Sequence, residues 1–433
     1  MINLSEEQLE IFKYLNENKN VFITGTAGSG KSTLIKYFVN YIKKCTTKQI
    51  AVTSTTGISA LLINGSTIHS YFGLGLGINS FEHLYRKINK SKHKKRWLET
   101  NILIIDEISM MDKELFEKIN LLAQKIRKNN LIFGGIQIIL SGDFAQLPSI
   151  NKQTFLFNTE CWKNIIDKTF YLTKSFRQDD IHFINILNEI RFGKLSQQSI
   201  LELKKRENTE LKDNNQPTIL YSLNQQVDYL NEHNLNILAE KYELYEFQMN
   251  LNINYKNLCL NINSSEFDDF MNDDLFKYIY NKFIKNLQIK PNINLCLDCN
   301  VMMLTNTYFN DNIVNGSQGK IIGFNDDNMP IVKFYNNQIK HIEPETFEIE
   351  EDDELFGYYT QIPLRLSYSS SIHKTQGATL DAVEIDFNGI FEYGQAYVAI
   401  SRAKKLENII IKNFNINKIR AHPDIVRYYQ QFI

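Results

Sequence analysis

Cysteine is scarce in this chain. Five cysteines in 433 residues are too few for the disulfide framework that holds small secreted domains together. Cys296 and Cys299 share the spacing of half a zinc knuckle, but no second Cys or His pair lies near them in the sequence. A structural zinc site needs four ligands, so the pair reads as reduced strand residues. Long apolar runs are lacking too. None approaches the ~18–20 residues that span a bilayer, and no membrane span is expected. The first residues, Met1-Ile-Asn-Leu4-Ser5-Glu-Glu-Gln8, are acidic and helix-like. They match neither a signal peptide nor an Arg-rich transit peptide. A cytoplasmic or nuclear location, without an N-terminal targeting or regulatory extension, is the expectation. No repeat of fixed period is visible. Net charge is nearly absent, −1 at pH 7, which by itself names no nucleic-acid partner.

Charge is present locally instead. Residues 86–96 hold Arg86, Lys87, Lys90, Lys92, Lys94, Lys95 and Arg96, whereas 343–354 runs acidic from Glu343 to Glu350, Glu351, Asp352, Asp353 and Glu354. A neutral sum can hide a basic groove. The acidic run reads as a solvated loop. The basic run is either a solvated face or a contact surface.

The length exceeds one ordinary core, so two or three domains are expected. Residues 5–19 predict a helix capped by Ser5, with Leu9, Phe12 and Leu15 on one face. Val21-Phe22-Ile23 is a short buried-strand run, followed by a Gly-rich turn and an amphipathic helix over about 31–43. Further apolar runs at 50–52, 102–105 and 136–140 alternate with helical patterns. That alternation predicts an α/β fold, a parallel sheet with helices on both faces. The first such domain is placed at 1–165. A second is split between 166–240 and 362–433, around an insert at 241–361. Within the insert, 245–294 is polar, Asn-rich and unassigned. Residues 295–350 alternate short strands with turn signals (Asn315-Gly316, Gln318-Gly319, Asp326-Asp327-Asn328 and Asn336-Asn337). That pattern predicts a small β-barrel.

Gly25-Thr26-Ala27-Gly28-Ser29-Gly30-Lys31-Ser32-Thr33 fits G-x-x-x-x-G-K-[ST], between a predicted strand and a predicted helix. Gly28 and Gly30 let backbone N–H groups converge on phosphate oxygens. The following helix aims its positive end at the same anions. Lys31 neutralises the β- and γ-phosphates of ATP, and Ser32 offers a hydroxyl to Mg²⁺. Residues 101–107 form an apolar strand ending in Asp106 and Glu107. In a parallel sheet the carboxyl end of a strand faces the ligand crevice. There Asp106 would hold Mg²⁺ through water, and Glu107 would orient or deprotonate an attacking water. Residues 136–148 give another strand and a polar turn carrying Asp143 and Gln146. Gln146 is either a γ-phosphate contact or an ordinary surface-turn glutamine.

Several blocks together resemble one family, the Pif-one DNA helicases of the 5′-to-3′ branch of helicase superfamily one. The resemblance covers most of the chain. It includes Leu4 to Gln8, the loop at 25–33, Thr53 to Ala60, Gly65 to Ser70, Asp106-Glu107, the stretch from Asp112 to Gln137, and Gly142 to Pro148. It continues with Leu172 to Gln178, Ile372 to Asp381 and Ala396 to Ala403. It implies two RecA-like parallel-sheet P-loop domains, with a small wedge insert in the first at about 71–97. It also implies an SH3-like β-barrel insert in the second, around Asn315-Gly316-Ser-Gln-Gly319. Asp298-Cys299-Asn300 stands where the family usually has a Gly-containing turn.

The resemblance implies roles as well. Gln8 reads the adenine, Gly377 lies in a nucleotide-binding motif, and Arg177 and Arg402 are arginine fingers carried by the second domain. Thr55, Thr56, Ser66, Thr67, His69, His373, Lys374 and Thr375 contact the DNA strand, mostly through its phosphates, because a motor must ignore sequence. The basic run would touch DNA at the fork. The implied activity is ATP-dependent, 5′-to-3′ translocation on single-stranded DNA with unwinding of fork or tailed duplexes by a monomer. G-quadruplex removal, DNA repair, recombination and telomere maintenance are all compatible. A single-stranded nucleic-acid translocase or an RNA helicase with little duplex unwinding would carry the same motifs.

Overall fold

The computed structural model describes residues 4–75, 79–147, 155–178, 180–211, 216–255, 258–262, 290–305, 307–308, 311–313, 315–352 and 355–432. Pro148, Asp353, Glu354 and much of the unassigned 245–294 segment lie outside them. The chain forms two compact units. Residues 1–199, 391–398 and 417–433 make the first, and 200–390 with 399–416 the second.

The first unit is built on a parallel sheet. Its strands are β1 (Val21–Gly25), β2 (Gln49–Ser54), β3 (Ser66–Thr67), β4 (Thr100–Asp106), β5 (Gln137–Ser141) and β6 (Lys168–Leu172). Their order is β3-β2-β4-β5-β1-β6, and every neighbouring pair is parallel. Successive side chains point to opposite faces. Val21, Ile23, Ile102 and Ile104 enter one core with Leu34, Ile35 and Phe38 of the helix Lys31–Cys45. Phe22, Leu103 and Ile105 enter the other with Phe116, Ile119 and Leu122. Because the strands run the same way, Gly25, Asp106 and Ser141 end at the same edge of the sheet.

Three expectations change here. The first unit extends past 165, because β6 pairs with β1 along its whole length. Its C-terminal segments also include the helix Pro423–Tyr429, whose Ile425 and Tyr429 join the first-unit core. The helix Glu6–Asn16 buries Gln8, Ile11 and Leu15, so Leu15 of the expected face is in the core and Leu9 is not. Leu9 is exposed, and Phe12 packs edge-on against Tyr37, Phe38 and Tyr41. Gln8 closes a capping box with Ser5.

The basic run lies on two helices, Phe81–Asn89 and His93–Glu99. Leu84, Ile88 and Trp97 anchor them in the core, and the Trp97 indole donates to Phe72 O at 3.1 Å.

The second unit contains a four-stranded parallel sheet of Ser369–Ser371, Thr218–Tyr221, Val383–Asp386 and Ile409–Lys412. A five-stranded antiparallel sheet runs Ile339–His341, Pro330–Phe334, Gln318–Phe324, Asn300–Met303 and Leu364–Leu366. Asn250–Tyr255, from the unassigned segment, pairs with Leu258–Ile262 and Leu355–Gln361. The antiparallel region therefore reaches beyond 295–350 on both sides. Among the described residues, no helix is long and apolar enough to cross a membrane.

Candidate active site

β1 delivers the phosphate loop to the strand-end edge, and the following helix starts at Lys31. Gly28 and Gly30 hold φ of +79° and +80°, which glycine adopts without a Cβ clash. Space is short as well. A Cβ on Gly28 would stand 2.4 Å from Arg177 Cβ, and one on Gly30 would stand 2.8 Å from Gln8 Nε2 and 3.0 Å from Phe176 Cδ2. Gly30 caps the helix without a side chain, leaving the first-turn N–H groups for an anion. Thr26, Ala27 and Ser29 are buried, and Thr33 is exposed on the helix. Ala27 N donates to Tyr397 Oη at 2.9 Å.

Lys31 Nζ donates to Gly25 O and Thr26 O at 3.0 Å and to Ser29 Oγ at 3.2 Å. Burial lowers its pKa, against the attraction of Asp143, Glu107 and Asp106. Ser32 Oγ donates to Asp106 Oδ2 at 3.4 Å. The Asp106 carboxyl is pushed above its ordinary value, first by burial, with Lys31 and Ser32 acting the other way. Glu107 follows at φ +52°, a left-handed backbone that non-glycine residues hold only under constraint. The constraint is visible: Thr55 N donates to Asp106 O at 3.3 Å and Thr55 Oγ1 to Glu107 O at 2.9 Å.

Beyond β5 lies a turn that the sequence marked only by motif. Asp143 and Arg191, both fully buried, pair at 2.8 Å. Arg191 Nε adds bonds of 3.3 and 3.1 Å to the two carboxylate oxygens, and Nη1 donates to Tyr171 Oη. Burial works to raise the Asp143 pKa, but Arg191 outweighs it and holds the carboxyl below its usual range. Ala145 N and Tyr429 Oη donate to Asp143 Oδ1 at 3.0 and 3.1 Å. Gln146, later in the turn, is buried, and its Oε1 has no hydrogen-bond partner among the described residues.

The sequence motifs include neither Arg191 nor Tyr429. Arg191 left one signal: it lies on the apolar face of the helix Ile181–Phe192, with Phe183, Ile186, Leu187 and Ile190.

Arg177 also departs from expectation. It belongs to the first unit, with its Cβ against Gly28, and Phe176 N donates to Gly28 O at 2.7 Å. Burial lowers the Arg177 pKa, with Tyr397 and Glu107 opposing. Gln8 sits beside the loop, with Nε2 donating to Gly30 O at 3.4 Å and Oε1 accepting from Ser5 N at 3.0 Å. Arg402 and Gly377 belong to the second unit. There Arg402 Nη1 donates to Thr375 O and Ala378 O at 3.1 Å, and Nη2 to Ser401 Oγ at 2.8 Å.

The expected DNA contacts fall in two groups. Thr55 and Thr56 follow β2 directly, and β3 brings Ser66 and Thr67 alongside Thr53 and Ser54. Thr67 Oγ1 accepts from Ser70 N at 3.2 Å and caps the helix carrying His69. Burial lowers the His69 pKa. His373 and Lys374 lie exposed on a turn of the second unit. Thr375 is buried there, and its hydroxyl donates to Ile372 O at 2.9 Å.

Cys296 and Cys299 are buried, with sulfurs 3.4 Å apart. No cluster of three or more His, Cys, Asp or Glu residues suited to a metal occurs among the described residues.

A parallel sheet whose strand ends present this loop, Ser32 and two acidic residues defines a P-loop nucleoside-triphosphatase site. The sequence pattern of the PIF1-like helicases matches residues 3–200. Uncharacterized protein 030L of Invertebrate iridescent virus 6 is 34% identical, over 98% of this chain and 94% of its own length. The ATP-dependent DNA helicase RRM3 of Saccharomyces cerevisiae is 31% identical, over 98% and 67%. The ATP-dependent DNA helicase PIF1 of Xenopus laevis is 33% identical, over 99% of this chain but 64% of its own. The crystal structure of Pif1 helicase from Candida albicans superposes with a TM-score of 0.79 at 33% identity, covering both chains completely. Pif1 from Bacteroides sp. in complex with ADP-AlF4 gives 0.79 at 26% identity, covering 100% of this chain and 97% of that one. The chain belongs to the PIF1-like helicase family.

Proposed function

We propose that this chain hydrolyses ATP and uses the energy to translocate 5′-to-3′ on single-stranded DNA and unwind duplex DNA. One observation carries the reading: Lys31, Ser32, Asp106 and Glu107 share one edge of the first sheet. They do so in a family whose named members above are ATP-dependent DNA helicases.

The chain's residues suit the chemistry. The loop N–H groups and the helix start face an anion, and Lys31 adds charge at the β- and γ-phosphates. Ser32 Oγ and Asp106 Oδ2 are hard oxygen donors 3.4 Å apart, a pair fitted to Mg²⁺. That ion, when bound, neutralises charge across the β- and γ-phosphates. Glu107, held beside Asp106, takes the proton of the attacking water. Gln146 has an uncommitted buried carbonyl with which to sense the γ-phosphate. Gln8 and Phe176, both against Gly30, suit the adenine side. Arg177 and Arg402 are read as the arginine fingers, the second on the resemblance of 396–403 alone.

For DNA, the half-buried hydroxyls of Thr55, Thr56, Ser66 and Thr67 with His69 in the first unit, and exposed His373 and Lys374 in the second, are read as phosphate contacts. Thr375 is read as supporting that second group through its turn bond. Single-stranded DNA and fork or tailed duplexes are the proposed partners of a monomeric motor whose antiparallel insert is SH3-like.

The test is ATP hydrolysis with and without single-stranded DNA. DNA should stimulate it, and Glu107→Gln should lower it about 10²–10⁴-fold while retaining nucleotide-analogue binding. Hydrolysis indifferent to both DNA and Glu107→Gln counts against the reading.

A further inference from the structure

We infer that Tyr429 is a positioning residue of the ATPase site, whose hydroxyl sets the phosphate loop against the turn that carries Gln146. The inference rests on the hydrolysis reading above.

A phenol hydroxyl has one proton to give and two lone pairs to receive. In Tyr429 all three are committed. It donates to Asp143 Oδ1 at 3.1 Å and accepts from Phe144 N at 3.0 Å. It lies 2.8 Å from Thr24 Oγ1. Since the phenol proton goes to Asp143, the threonine is the donor in that bond.

The partners matter by where they sit. Thr24 immediately precedes Gly25, the first residue of the phosphate loop. Asp143 and Phe144 lie in the turn that ends at Gln146. The ladder between β1 and β5 runs to Ile23 and Ser141, and Gly142 N donates to Ile23 O at 3.2 Å. Past that point, the Tyr429 oxygen touches both segments at once. Asp143 is also the largest attractive influence on Lys31, so a shift of the turn moves the electrostatics of the phosphate site.

The ring has its own support. It is fully buried, and the Arg191 guanidinium lies 4.5 Å from its centroid. Phenylalanine would keep the ring, its packing and that cation contact. It would remove only the hydroxyl. The turn would retain Ala145 N on Asp143 Oδ1 and Gln146 N on Asp143 O, both at 3.0 Å. What is lost is its reference to the loop. Displacements below an ångström suffice to slow catalysis while binding persists.

The experiment measures ATP turnover, stimulated by single-stranded DNA, per functional site in the full chain. Functional sites are counted by titration with a fluorescent ATP analogue, and melting temperature is recorded alongside. The variants are Tyr429→Phe, Thr24→Val and the double change. Each single variant should lower kcat per site about tenfold, with KM for ATP within about twofold and the site count unchanged. The double variant should be no slower than the worse single one, because both remove the same link. A Tyr429→Phe kcat per site within twofold of wild type overturns the inference. So does a lower site count and melting temperature with normal kcat per site, the mark of a purely structural tyrosine. Losses that multiply in the double variant also overturn it. A wild-type chain that hydrolyses no ATP removes the underlying reading instead, and is seen before any variant is made.

Discussion

Asp143 and Arg191 form an ion pair sealed from water, with Nη2 and Oδ1 2.8 Å apart and both side chains at 0% exposure. Such a pair repays its own desolvation only when its geometry is good and its remaining polar atoms are bonded. Here Tyr171, Tyr429 and the Ala145 N–H complete the bonding. Removing one partner strands the other. Arg191→Met should therefore cost about 3–5 kcal/mol of stability, read by urea unfolding at pH 7. A loss below about 1 kcal/mol, the scale of an exposed pair, contradicts the burial argument.

Asp143 and Asp106, both buried in the first unit, should respond to pH in opposite senses. Asp143 has its folded pKa depressed. It contributes stability in full above the ordinary carboxylate value, and that contribution fades as pH falls through the lower folded value. Asp106 has its folded pKa raised, chiefly by burial. Its ionisation opposes folding, so stability falls as pH rises from the ordinary value through the raised one. Asp106→Asn, free of nucleotide and Mg²⁺, should melt at a higher temperature than wild type at pH 7 and hydrolyse no ATP. A lower melting temperature would show that Asp106 stabilises the fold, against this reading.

The basic helices should act through salt. Lys92, Lys94 and Lys95 lie on or just before His93–Glu99, whose buried residues are His93 and Trp97. Replacing the three lysines by glutamine should leave the melting temperature unchanged. It should weaken binding of forked DNA and reduce the slope of log K against log salt by roughly 2–3, if each lysine neutralises one phosphate. An unchanged slope means that these lysines belong to a solvated face.

The sequence exposed whatever its chemistry makes local. Glycine spacing and the strand before it placed the phosphate loop. Apolar runs placed β1, β2, β4 and β5, and the acidic strand end placed Asp106 and Glu107. Burial contributed by distant segments stayed hidden. Tyr429 meets Thr24 across 405 positions of chain, a pairing no periodicity reports. The family resemblance puts Arg177 on the second domain. Yet β6 pairs with β1 just before it, and so carries Arg177 to Gly28. Leu9, read into one stripe with Phe12 and Leu15, is exposed, while Gln8 in the same turn is buried and closes a capping box with Ser5. The strands at 245–262 were obscured by asparagine, which disfavours strands on its own but is held here by antiparallel partners.

On the proposed function, ATP hydrolysis at the Lys31 site drives a directional motor on DNA. The decisive measurement is unwinding of duplexes bearing either a 5′ or a 3′ single-stranded tail, with Lys31→Ala as control. Wild type should open the 5′-tailed duplex in an ATP-dependent way and leave the 3′-tailed one closed, and Lys31→Ala should lose both ATPase and unwinding. Preferential opening of the 3′-tailed duplex, or unwinding that survives Lys31→Ala, would contradict the proposed function.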